Sequence, residues 1–259
     1  MRIVRATRYV TPLREGGSLP AIVEADDCGL YVAKFRGAGH GTLALVAEWV
    51  TGELARAAGL RVPELVGIDV DASIGRNEPD PEIRDLLRAS GGLNLGVDWL
   101  PGSLMFDPVA GSPPSPGEAS DIVWLDALTS NVDRTARNPN LLWWHRRLYL
   151  IDHGASLYFH HVWADEESRR WSPFPAVRDH VLLPWADDVT GATARLGPKL
   201  GRDVLERVLG DVPDDWLADE PRFGSRGAQR AAYVEHLRQR LEASAVFTQE
   251  AERARLALV

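Results

Sequence analysis

Two stretches of the sequence hold side chains suited to handling phosphate and metal. In Thr129-Ser130-Asn131-Val132-Asp133-Arg134-Thr135-Ala136-Arg137-Asn138 an aspartate precedes an asparagine by five positions, and Ile151-Asp152-His153-Gly154 follows after a short apolar hairpin pattern. A loop carboxylate can accept or orient a hydroxyl proton. An amide oxygen and a second carboxylate are the hard ligands that Mg²⁺ requires. Such an order and spacing suit phosphoryl transfer, in which the first Asp meets the acceptor and the Asn and second Asp meet metal. Asp and Asn are also common turn residues, so it is the set in sequence, Asp133, Asn138 and Asp152, that carries the reading.

A cation belongs to the same chemistry. Lys34 and Lys199 are the only lysines in 259 residues, so nearly all positive charge sits on arginine. Lys34 lies in the apolar run Leu30-Tyr31-Val32-Ala33-Lys34-Phe35, where burying a long charge is costly unless it is paired. A compact ammonium and a planar guanidinium differ at a phosphate site, which makes Lys34 a phosphate-binding candidate; a lysine guarding a strand edge is the plainer reading. A glutamate on the following helix would hold such a lysine, and Glu48 and Glu53 compete for that place. Gly16-Gly17-Ser18 falls between the first two strand patterns, where backbone N–H groups can cover phosphate oxygens without any side chain.

The elements that must position these groups can be read from periodicity. Ile3–Val10, Leu19–Ala25, Leu30–Phe35, Leu65–Val70 and Leu93–Trp99 read as strands, with a hairpin turn at Asp26-Asp27-Cys28-Gly29. Leu43, Val46, Ala47, Val50, Leu54, Ala57 and Ala58 recur at helical spacing, with Gly59 as a C-cap and Pro63 as a stop. A short helix is expected over Pro81–Arg88. Pro108 to Ser120 is rich in Pro, Gly and Ser and reads as a loop. Beyond it come a helix over Asp121–Ser130, a loop from Asn131 to Asn140, and a hairpin of Leu141–Trp144 with Leu148–Ile151. The remainder reads as helical, including one long helix over about Ala228–Leu256. The expected organisation is residues 1–100 as one lobe and 101–259 as the other, with the boundary near Pro101.

These motifs resemble those of the HipA-like kinases. That family shows a catalytic loop N-x-D-R-x-x-x-N, present here as Asn131-Val132-Asp133-Arg134 through Asn138. Its helix signature is matched by Glu48-Trp49, Leu54-Ala55, Gly59-Leu60 and Val62-Pro63, which favours Glu48 over Glu53. The resemblance covers roughly Leu13 to Phe159. It implies an α+β, two-lobed protein-kinase-like fold, with a small antiparallel N-lobe sheet, one helix, and a mainly helical C-lobe. It implies ATP and Mg²⁺, with Asp133 as catalytic base, Asn138 and Asp152 as metal ligands, and Lys34 on phosphate. Val97, Asp98 and Trp99 would form the interlobe hinge against adenine, and Gly16, Gly17 and Ser18 the nucleotide loop. The resemblance starts almost at the kinase core, so the amino-terminal subdomain of the family's longer toxins is not expected in this sequence, and no G-x-G-x-x-G is present.

Composition narrows the field further. No stretch is long and apolar enough to cross a bilayer, no signal-peptide pattern opens the chain, and Cys28 is the only cysteine, which suits a cytoplasmic protein. A formal charge of −8 argues against a broad nucleic-acid surface. His153, His160 and His161 beside Asp152 match no common zinc spacing. No G-x-S-x-G or H-E-x-x-H motif favours a hydrolase. The expected reaction is transfer of the γ-phosphate of ATP to a hydroxyl of a protein or small molecule. The rival of the same chemistry is an aminoglycoside- or lipid-kinase-like enzyme; the rival of another class is a nucleotide-binding regulator that acts on a partner protein.

Overall fold

The computed structural model describes residues 1–13, 19–39, 41–109, 112–217 and 219–258; the expected nucleotide loop Gly16-Gly17-Ser18 lies outside them. Five strands of the amino-terminal part, β1 (Ile3–Pro12), β2 (Ala21–Ala25), β3 (Leu30–Lys34), β4 (Leu65–Val70) and β5 (Gly92–Asp98), close into a barrel in the order β1-β2-β3-β5-β4. This corrects the expected antiparallel sheet. β1 runs antiparallel to β2 but parallel to β4, pairing Ile3 with Gly67 and Arg5 with Asp69. The small barrel interior is filled by Val4, Ala6, Val23, Ala33, Val66 and Ile68. Helix α2 (Pro81–Ala89), capped by the Asp80 carboxylate on the Glu82 N–H, adds Ile83 and Leu87 to that cluster. The short helix expected over Pro81–Arg88 is thus present, one more among the described residues of this part than the single helix the family resemblance implied.

Helix α1 (Gly41–Ala58) is buried on nearly every side because it lies between the barrel and the helical remainder. At Gly52 the helix comes so near β4 that a Cβ would meet Leu65 Cδ1 at 2.6 Å. The Trp49 indole N–H donates to the Val208 carbonyl at 3.2 Å. At its end Gly59 adopts φ +94°, the left-handed cap that glycine makes without strain. The second lysine, Lys199, donates to the Ala58 carbonyl at 2.7 Å and meets the negative end of the helix.

A short strand, β6 (Leu104–Met105), pairs with the expected hairpin of β7 (Leu141–Trp144) and β8 (Arg147–Leu150). Helix α3 spans Pro116–Thr129, so it starts inside the expected loop. Ser115 accepts from the Glu118 N–H as its N-cap, and Pro116 is compatible with the first turn. After α4 (Glu166–Arg170), α5 (Val189–Leu196) and α6 (Arg202–Gly210), the expected single long helix is two, α7 (Arg226–Glu242) and α8 (Ser244–Leu256), divided at Ala243. The larger core runs continuously from α1 through α3 and the hairpin into these helices. Among the described residues no helix is long and apolar enough to cross a membrane.

Candidate active site

Lys34 ends β3, and its ammonium bridges two carboxylates. Nζ lies 2.8 Å from Glu48 Oε2 on α1 and 2.7 Å from Asp152 Oδ1, just past β8. Glu53 is not a partner of Lys34; it lies 3.4 Å from Arg56 one turn along its own helix. Burial opposes the Lys34 charge, but the attraction of Asp152 and then Glu48 outweighs it and raises the pKa, so the ammonium stays charged. Glu48 is 1% exposed; burial alone would raise its pKa, yet Lys34 first and His153 next hold it down at about 2. The His153 ring lies beneath, its Nδ1 3.6 Å from Glu48 Oε1. Asp152, by contrast, has a half-exposed side chain and sits in left-handed backbone at φ 55°, a conformation Asp tolerates better than most residues. One of the two carboxylates around Lys34 is fixed in the core and the other faces outward.

The second cluster is the loop after α3. Asp133 Oδ2 accepts from Asn138 Nδ2 at 2.7 Å and from Asn140 Nδ2 at 3.1 Å, and the Asp133 N–H donates to Asn131 Oδ1 at 3.1 Å. Because the Asn138 amide nitrogen faces Asp133, its oxygen is left as a potential ligand. The donor set, a half-exposed Asp152 carboxylate and an exposed Asn138 amide oxygen, consists of hard oxygens and fits Mg²⁺, while the Lys34 ammonium fits phosphate.

The two clusters are joined by residues to which sequence reasoning gave no role. Arg134, wholly buried, places Nε 2.5 Å from Asp126 Oδ2 on α3. Its Nη1 donates to the carbonyls of Asn140 and of Ile151, the latter at 3.3 Å and one residue before Asp152. A single guanidinium thus ties the Asp133 loop to the strand end that carries Asp152. Asp126 also accepts from Asn131 Nδ2 at 3.0 Å and from His180 Nε2 at 3.0 Å. His180 Nδ1 accepts the Leu182 N–H, which leaves the ring proton on Nε2, toward Asp126. Burial works against the Asp126 charge, but Arg134 and His180 keep its pKa far below the ordinary carboxylate range. Beneath α3, Arg240 donates to the carbonyls of Ala127 and Leu128 at 2.7 Å each and to those of Arg169, Arg170 and Ser172. Asp126 had a legible signal, a carboxylate inside the apolar run Ile122–Leu128, the kind of signal that marked Lys34. His180 and Arg240 had none, since their contacts close across 54 and more than 100 residues.

Of the expected hinge, Val97 is buried and Asp98 and Trp99 are half-buried at the end of β5, with the Trp99 N–H donating to the Leu30 carbonyl at 2.9 Å. Burial and the neighbouring Glu64 raise the Asp98 pKa.

A family model described as HipA-like kinase matches residues 7–249. A crystal structure of a Helicobacter pylori proinflammatory kinase, CtkA, superposes with a TM-score of 0.53 at 13% identity, covering 92% of this chain and 94% of that one, a likeness of fold. No curated protein matches the sequence.

Proposed function

Because the chain belongs to the HipA-like kinase family, we propose that it transfers the γ-phosphate of Mg-ATP to a serine or threonine hydroxyl of a protein in the cytoplasm. The observation that supports this best is the Lys34 ammonium held between a buried Glu48 and an outward-facing Asp152, with the Asp133–Asn138 pair tied to the same strand end through Arg134. In this reading residues 1–100 form the nucleotide-binding lobe and 101–259 the catalytic lobe, Val97 to Trp99 face adenine, and Gly16 to Ser18 cover the phosphates.

Asn138 and Asp152 would hold magnesium, which neutralises phosphate charge when bound. Lys34, kept charged and oriented by Glu48, meets phosphate oxygens. Asp133 orients the acceptor: both amide donors reach Oδ2, so Oδ1 is free to take the hydroxyl proton as the acceptor oxygen attacks. Arg134 fixes the relative placement of Asp133 and Asp152, and so acts on the rate without touching substrate.

The direct test is incubation with Mg-ATP while intact mass and ATP consumption are followed together. ADP release with 80 Da added to the chain or to an added protein is the expected result. Binding alone also has a signature: at 100 times Kd the nucleotide adds about 2.7 kcal/mol, a rise in Tm of roughly 5–10 °C for a chain of this size. A shift that is the same without Mg²⁺, or no shift at millimolar Mg-ATP, removes the proposal. Magnesium-dependent binding with no transfer to any hydroxyl gives the lead to a binding-only regulator.

A further inference from the structure

A cleft of about 360 Å³ opens beside the catalytic loop. Ser130 and Val132, the residues leading to Asp133, form one wall. Tyr158 and Phe159, which follow the Asp152 segment, form another, and Arg169 of α4 with Phe174 completes it. Consecutive Cα atoms lie 3.8 Å apart, so the cleft begins one residue from the proposed base. Its lining is mainly apolar, and two of the exposed large apolar side chains of the molecule, Val132 and Tyr158 at 44% and 48%, stand on it. Val162 and Trp171, exposed to 46% and 50%, belong to the neighbouring segment. Exposed apolar surface gathered at one place, rather than scattered, marks a contact site.

The charge of the cleft is equally one-sided. Among the described residues no carboxylate lines it. Its cation, Arg169, lies over the Tyr158 ring at 5.3 Å, reaches Asp165 only at 3.8 Å, and has a buried Nε with no hydrogen-bond partner among the described residues. His236 stacks on Phe159 and faces Glu166; burial lowers its pKa to about 4, so it brings no positive charge at neutral pH. A polycationic small molecule would meet no acidic side chain in this lining, only the Asp133 carboxylate at its end. A carboxylate beside an apolar side chain would find both Arg169 and the rings.

We propose that this cleft seats the acceptor, a protein segment that carries a bulky apolar side chain and an acidic side chain within two or three residues of the phosphorylated serine or threonine. An extended segment advances about 3.3 Å per residue, so two or three residues reach from Asp133 across a cleft of this size. The assignment rests on the phosphotransferase reading and gives it a substrate class.

The test is a peptide library with one fixed serine or threonine, phosphorylated by the full chain with Mg-ATP, beside a panel of aminoglycosides. Preference for apolar and acidic residues near the hydroxyl is expected. Arg169→Glu should then invert the charge preference from acidic to basic, with the acidic peptide's KM up by about three- to tenfold and its kcat little changed. Tyr158→Ala should weaken the apolar preference in the same way. Both variants should keep the magnesium-dependent thermal shift of the parent, which shows that fold and nucleotide site are intact. Transfer without sequence preference, an unchanged preference in Arg169→Glu, or transfer to aminoglycosides alone overturns the cleft and leaves the phosphotransferase standing. Nucleotide binding without transfer to anything overturns both.

Discussion

Asp133 and Asp152 are aspartates in the loops on either side of the β7–β8 hairpin, and the proposed reading gives them different work. Asp133 is enclosed by amide donors from Asn138 and Asn140, whereas Asp152 is half-exposed and held by an ammonium. Asp133→Asn keeps an oxygen acceptor in place, so Mg-ATP binding should persist while kcat falls by about 100-fold or more, because the lost proton acceptance acts in the transition state. Asp152→Asn would remove a charged ligand of the proposed magnesium and should diminish the magnesium-dependent thermal shift as well. A parent-like turnover in Asp133→Asn would show that it is not the base. The Lys34–Glu48 contact was the easiest to read in the sequence, since a lone lysine in an apolar strand needs a partner and the family resemblance favoured Glu48 over Glu53. The Lys34 ammonium reaches Glu48 and Asp152 at 2.8 and 2.7 Å, a geometry a planar fork on a longer stem cannot reproduce. Lys34→Arg should therefore lower kcat by about 10- to 100-fold with only a small loss of stability, read by turnover beside a urea melt. If both stay as in the parent, the ammonium is not needed for the chemistry; β3 is paired on both sides by β2 and β5, so Lys34 guards no strand edge either.

Elements with strong local periodicity were legible and those defined by distant contacts were not. Helix α1 and strand β4 match their expected ranges closely because apolar spacing, the Gly59 cap and Pro63 between them are local signals. Closure of the barrel depends on Ile3 finding Gly67 across more than sixty residues, which alternation in β1 does not encode. The division of α7 from α8 was equally hidden, as Leu241-Glu242-Ala243-Ser244 carries neither Gly nor Pro. The reason for it lies in tertiary structure: α7 must bring Arg240 under the end of α3, while α8 turns so that Phe247 meets Trp124 edge-on and Arg240 from above at 5.1 Å. Arg240 has no carboxylate partner among the described residues, and burial lowers its pKa to about 10; five carbonyls, two of them from the last turn of α3, compensate it. That turn leads directly into the Asp133 loop, so the arginine supports the site from below. Arg240→Leu leaves those carbonyls buried without donors and should cost about 3 kcal/mol or more. A chain of this size would then melt roughly 6–12 °C lower. A melt within 2 °C or so of the parent would show that water replaces the guanidinium and that α3 needs no such support.

At the scale of the whole molecule, acid should act on the fold through its histidines before its carboxylates. His160, His180 and His236 are all buried, and burial holds their pKa values down, to about 3 for His160 and about 4 for His236. Their unfolded value is near 6.5. Between that value and the native ones the unfolded chain binds more protons, so stability is complete above pH 6.5 and falls as pH drops, by up to about 1.4 kcal/mol per pH unit for each histidine. Glu48 and Asp126, whose native values are lowered by Lys34 and Arg134, lose their contribution only below the ordinary carboxylate range. Glu53 and Asp98, raised by burial, run the other way and offset part of the loss. Relief of the net charge of −8 on acidification also favours the fold, but that repulsion is spread over the surface and screened within about 10 Å in ordinary buffer. The buried histidines should therefore dominate, and urea-derived stability should decline between pH 6.5 and 5. His160 makes a buried contact with the Tyr233 hydroxyl at 3.1 Å and lies outside the candidate site. In His160→Gln one titrating group is gone, so the slope of stability against pH should become shallower, by about 0.7 kcal/mol per unit at pH 6.5 and by up to about 1.4 toward pH 5, even if the variant is less stable at every pH. A slope equal to the parent's would mean that His160 already shares its proton affinity with the unfolded chain, and that acid opens this protein by another route.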